Sequence, residues 1–129
     1  MHRETIQTPA CAPTPPFFSH AVKVGPMIFV SGQLARAADG NVVGKGDMAA
    51  QTRQVIANLR AVLHAAGADL RHVVRLTAFM TDMARAPEAW AVRTEAFAAR
   101  PPASTGVEVS RLTHPDFMIE MEAIAVIDD

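Results

Sequence analysis

The period of the apolar positions changes several times along this chain, and each change marks an element. Phe117 to Ile127 alternates with the two-residue period of a strand. Ile119, Met121, Ala123, Ala125 and Ile127 fall on one face; Met118, Glu120, Glu122, Ile124 and Val126 fall on the other. From Met48 to Ala66 the spacing is helical, with Val55, Leu59, Val62 and Ala66 on one stripe beside Thr52, Ile56 and Leu63. Asp47 is the expected N-cap and Gly67 the expected stop. Val73 to Met80 is β-rich and apolar on both faces, which suits a central strand. Pro87 opens a second expected helix running to Ala99, and Arg100-Pro101-Pro102 ends it.

Shorter runs complete the order. His20–Val24 and Met27–Gly32 flank Gly25-Pro26 and read as a hairpin. Thr105 to Val109 reads as a strand, and a short one is expected around Thr5 to Gln7. Pro9 to Pro16 holds four prolines in eight residues and reads as an extended connector within an extended N-terminal segment, 1–16. The expectation is a single α+β domain over 1–129, with a mixed sheet and both helices on one face. The uncovered face would carry Met118, Ile124 and Val126, apolar residues that water should not meet. Burial against identical subunits answers this, and a three-fold ring is one closed solution.

With 129 residues there is room for one such domain and not two. Half the residues are hydrophobic and 19% are charged. The formal charge is −1 and the arginines are scattered, which argues against a nucleic-acid surface. The one cysteine, Cys11, suits a reducing compartment. The N-terminal stretch lacks a signal peptide's apolar core, and no run approaches the ~20 apolar residues that span a bilayer, so a cytoplasmic protein without membrane partners is expected. His2, His20, His64, His72 and His114 form no metal-ligand pattern, and no phosphate-binding glycine motif occurs, so neither metal nor cofactor is expected.

Glu120 and Glu122 lie ~7 Å apart on one strand face, a separation at which two carboxyls can act as acid and base around a water. Spacing alone favours reading them as surface charges at a sheet rim. Their apolar neighbours favour perturbed protonation and hence chemistry. Glu108, facing away from Val107 and Val109, is a possible third member.

Several strings, taken in order, resemble the RidA/YjgF family, whose members also carry the label endoribonuclease L-PSP. They are Val30-Ser31-Gly32-Gln33, Gln51-Thr52-Arg53-Gln54-Val55-Ile56-Ala57-Asn58-Leu59, Phe79-Met80-Thr81-Asp82-Met83, Val107-Glu108-Val109 and Ile119-Glu120-Met121-Glu122-Ala123-Ile124-Ala125. The resemblance runs from about Phe18 to the C-terminus. It implies a chorismate-mutase-like fold, a homotrimer with small-molecule clefts between subunits, and cofactor-independent hydrolysis of reactive enamines and imines such as 2-aminoacrylate. Glu120 matches the family's water-positioning glutamate. Gly32 and Ser19 match cleft positions, Phe18 stands where many members have tyrosine, and Trp90 (or Ala91, one residue later) replaces a polar residue. Aligned on Val107-Glu108-Val109, Ser104 stands where the family has its carboxylate-binding arginine, and Gly106 where a backbone carbonyl meets the water.

An arginine–carboxylate pair contributes ~1.5–3 kcal/mol. Its loss points away from 2-aminoacrylate, toward a larger or less anionic substrate held by Ser104 and Thr105 against Phe18 and Trp90. Arg100 and Arg111 are the nearest candidates to compensate. Two other readings stay open: a non-catalytic binding or chaperone-like trimer, and an endoribonuclease or translation inhibitor. The second is the weaker, given the near-neutral charge.

Overall fold

A computed structural model describes residues 2–127, so Met1, Asp128 and Asp129 of the expected domain lie outside it. The strands are β1 (Arg3–Ile6), β2 (Ala21–Val24), β3 (Met27–Leu34), β4 (Val73–Met80), β5 (Ala103–Glu108) and β6 (Ile119–Val126); the helices are α1 (Met48–Ala65) and α2 (Ala86–Phe97). One sheet takes the order β1-β2-β3-β6-β4-β5. Every neighbouring pair is antiparallel except β4 and β5, which run parallel. Helix α2 makes the crossover that a parallel pair requires. The fold is therefore α+β with a mixed sheet, as the sequence pattern indicates. No described helix is long and apolar enough to cross a membrane.

The core forms where the two periodicities meet. Ile28, Val30, Leu76, Ala78, Met80, Ile119, Met121, Ala123 and Ala125 project from the sheet onto Val55, Leu59, Val62 and Leu63 of α1. Helix α2 packs beside α1 through Ala89, Val92 and Phe97. Asp47 caps α1 by accepting from the Ala50 N–H at 3.0 Å, and Gly67 ends it with φ 84°.

Two buried polar side chains fasten the loops. Gln51 is fully buried on α1; its Nε2 donates to the carbonyls of Gly44 (3.3 Å) and Asp116 (2.7 Å), and its Oε1 accepts from the Met118 N–H (2.8 Å). His20 accepts the Thr8 N–H at Nδ1 and donates from Nε2 to the Ala12 carbonyl, which fixes its tautomer and ties the proline-rich segment to the sheet. Before it in the N-terminal segment comes β1, which lies at Arg3–Ile6 rather than Thr5–Gln7. The fifth strand starts at Ala103, two residues earlier than the pattern indicates, because Ala103 already pairs with Arg75.

The other face of the sheet has no covering layer within the subunit. Val22, Val24, Met27, Phe29, Phe79, Ile124 and Val126 share it, by register. Phe29 is 41% exposed and Met27 39%.

Candidate functional site

Glu120 sits near the start of β6, beside Leu34 of β3 and Phe79 of β4. Between Val30 and Gln33 the register of β3 shifts in a bulge, which places Gly32 under the Glu120 side chain. A Cβ on Gly32 would run into the Glu120 carboxyl group, so a residue without a side chain is what lets the carboxylate lie there. The carboxyl is half-buried, and no hydrogen bond from the described residues holds it. Burial, and then repulsion from Glu122, pushes its pKa up from the ordinary 4.5. Glu122 lies on the same face but is exposed. A carboxyl whose protonated form is favoured in this way is a candidate to pass protons to and from a bound ligand.

Around this carboxyl the chain gathers part of the expected site. Ser31 donates from Oγ to the Ser19 carbonyl at 2.6 Å, and its N–H donates to the His20 carbonyl. Ser19 thus enters through its backbone. Phe18 packs edge-on to Phe17 at 5.3 Å and shares a small cavity with Gly32, Leu34 and Arg36. The Arg36 guanidinium lies 5.3 Å from the centre of the Phe117 ring, and its Nε is buried without a hydrogen-bond partner among the described residues.

The remaining expected residues lie elsewhere. Ser104, Thr105 and Gly106 are on β5, the edge strand, separated from β6 by β4. By register Val107 stands level with Glu120, so two strand spacings and up to three residues along β5 put them roughly 10–14 Å from Glu120 within one subunit. Ser104 and Thr105 also face opposite ways. Ser104 accepts a hydrogen bond from Arg93 of α2, and Thr105 accepts one from Arg75 of β4 at 2.8 Å. They do not form one hydrogen-bonding pair in the single subunit, contrary to the sequence expectation. Nor do Phe18 and Trp90 form one wall: Trp90 lines a different cavity, between α2 and the Pro101-Pro102 exit. Glu108 drops out, because Oε1 accepts the Met83 N–H and caps the turn before α2.

Arg93 is the residue the sequence reading missed. Arg100 and Arg111 were the expected substitutes for the absent arginine, yet the guanidinium that reaches Ser104 comes from Arg93, one helical turn past Trp90. The available signal was the helical spacing of Trp90, Arg93 and Phe97 over one face. No group of three or more His, Cys, Asp or Glu side chains among the described residues is placed to hold a metal.

Comparison with known proteins bears on the family and the fold. A family model described as Endoribonuclease L-PSP matches residues 8–127. A RutC family protein of Pyrococcus abyssi is 44% identical over 108 residues, covering 84% of each chain. Two solved Escherichia coli structures share the fold. The YjgF gene product has a TM-score of 0.88 at 35% identity, over 95% of this chain and 98% of its own. TdcF, solved with bound serine, has a TM-score of 0.89 at 28% identity, over 97% of this chain and 99% of its own. On sequence and fold together, the chain belongs to the endoribonuclease L-PSP family, the RidA/YjgF group of its motifs.

Proposed function

We propose that this protein is a cofactor-independent hydrolase of small enamine- or imine-type metabolites, working in clefts completed by neighbouring copies in a trimer. The observation that carries the reading is the Glu120 carboxyl, half-buried over Gly32 with its pKa raised by burial and by Glu122. Protonated, it gives its proton to the enamine carbon and leaves an iminium. As carboxylate, it takes a proton from the water whose oxygen adds to the iminium carbon. The same group then protonates the leaving nitrogen and accepts the hydroxyl proton as the carbonyl forms. Ammonia departs, and the carboxyl returns to its starting state.

Two features support a shared cleft. The Glu120–Gly32 group and the Ser104–Trp90 group lie on different strands and different cavities of one subunit. The uncovered apolar face also favours a partner surface. A relative solved with serine supports a small amino-acid-like ligand. One observation favours a binding protein without chemistry instead: Ser104, where the family resemblance implies an arginine, is already engaged by Arg93.

The test generates imines in situ from a panel of small and bulky amino acids and follows ammonia release above the spontaneous rate. Acceleration that is lost in Glu120→Gln supports the hydrolase. Absence of Glu120-dependent release on every substrate leaves the binding protein as the reading.

A further inference from the structure

Trp90, Arg93, Thr94, Phe97, Pro101 and Pro102 line a groove of about 350 Å³ between the second half of α2 and the chain that leaves it. Its walls are an indole, a phenyl ring and two prolines. Its one charged group is the Arg93 guanidinium. No described carboxylate pairs with that guanidinium, whose hydrogen-bonding partner is the neutral Ser104 hydroxyl. Burial alone acts on its pKa, which it lowers, with no acid nearby to offset it. An arginine stays charged even so. Two surface arginines behave otherwise: Arg85 is paired with Glu88 at 2.9 Å, and Arg60 lies 3.6 Å from Asp69.

A partly desolvated cation among apolar walls, with unused N–H donors, is a site for an anion that carries an apolar body. We infer that this groove binds small organic carboxylates with an apolar or aromatic side chain, the carboxylate on Arg93 and the side chain against Trp90, Phe97 and Pro101. Ser104 holds the guanidinium and sets its direction. The buried Phe97 ring keeps water from one side of the charge pair, while the Trp90 indole, 53% exposed, leaves the other side open to an incoming ligand. A bare short-chain carboxylate leaves the walls unfilled and binds weakly. A phosphate fits poorly for the same reason. This site belongs to the subunit's own helix and strand edge, so it stands whether or not Glu120 performs hydrolysis.

Trp90 is the only tryptophan in the chain and lines the groove, so its fluorescence reports occupancy directly. The full-length protein is titrated with phenylacetate, with the neutral isostere phenylacetamide and with acetate. Phenylacetate is expected to shift Trp90 emission saturably, at least roughly tenfold more tightly than either of the others. Arg93→Gln should weaken phenylacetate by about ten- to a hundredfold and leave phenylacetamide unchanged. Arg93→Lys, which keeps the charge but loses the planar fork, should fall between. Ser104→Ala should cost less than Arg93→Gln. Circular dichroism melts of each variant identify any that fail to fold, and the lysine variant then carries the comparison. Equal binding of phenylacetate and phenylacetamide, an unchanged affinity in Arg93→Gln, or no saturable change with any probe would overturn the inference. Ammonia release in Glu120→Gln reads the hydrolase separately.

Discussion

Replacing Gly32 by alanine tests the carboxyl's position while leaving its chemistry in place. Gly32 does not have a positive φ, so alanine meets no backbone strain there. Its Cβ would stand 2.9 Å from Cδ and 3.1 Å from Cγ of Glu120, with a carboxylate oxygen closer still. Ordinary carbon contacts begin near ~3.5 Å, so the carboxyl must retreat by more than ~0.5 Å. Its neighbour is the end of a flexible side chain, and an off-rotamer displacement costs only ~0.5–1.5 kcal/mol. The fold should survive, with Tm lowered by no more than about 5 °C. Catalysis is less forgiving, because a misplacement of ~1 Å costs on the order of a hundredfold. The expected result is a ten- to hundredfold fall in kcat/KM for imine hydrolysis, roughly that range on the same ground. Because the two residues act as one unit, Gly32→Ala should add little to Glu120→Gln in the double variant. Ammonia release and thermal melts are measured on all three variants. Full activity in Gly32→Ala refutes the reasoning, and so does a collapse of Tm that accounts for the lost activity.

The raised pKa of Glu120 makes a stability prediction of its own. The folded protein holds this proton more tightly than the unfolded chain does, so its stabilising effect is complete below 4.5 and declines as pH rises through the folded value. Glu120→Gln should therefore raise Tm at pH 7 relative to the parent, with the gap closing near pH 4; an equal or lower Tm at pH 7 counts against a strained carboxyl. Gln51→Leu strands the Asp116 carbonyl and the Met118 N–H, both of which Gln51 now pairs in the core. Urea melts should show a loss of about 2–4 kcal/mol, and a loss under about 1 kcal/mol would show that these loops do not depend on it. On the proposed assembly, the protein should sediment near three times its 13.8 kDa subunit mass, and Phe29→Glu on the open face should shift it toward the monomer. A parent protein that sediments as a monomer sinks the assembly.

Much of the fold was legible because short-range patterning dictates it. The alternation from Ile119 to Val126 separates the core face from the open face with no exceptions, and Asp47 and Gly67 bound α1 through local hydrogen bonding and backbone freedom. Strand order is a different kind of information. Nothing local to Ile119–Val126 says that β6 inserts between β3 and β4, and that insertion is what brings Glu120 over Gly32. The bulge after Val30 is equally silent in sequence, since Ser31-Gly32 fits a regular strand as well as an irregular one. The candidate site split along the same line. Glu120 and Gly32 meet across the β3–β6 pairing, whereas Ser19 enters only through its carbonyl, which accepts from Ser31. Ser104 and Thr105, adjacent in sequence, diverge because a strand alternates its side chains. Arg93 escaped notice because its partner is eleven residues away on another element.

The separation of the two groups of residues has a consequence that links the proposals. The described lining of the Arg93 groove comes from α2 and its exit, with Ser104 of β5 on the guanidinium. The Glu120–Gly32 group shares its cavity with Arg36, whose guanidinium lies over the Phe117 ring, and the sheet holds Glu120 and Ser104 roughly 14 Å apart. If copies meet across the open face and bring one subunit's groove to another's carboxyl, assembly is required for turnover but not for capture. Breaking the assembly with Phe29→Glu should then abolish imine hydrolysis while phenylacetate still shifts Trp90 emission with parental affinity. Loss of both together would place the groove itself at the subunit boundary. Retention of both would show that one subunit hydrolyses alone and that the carboxyl finds its substrate without a partner.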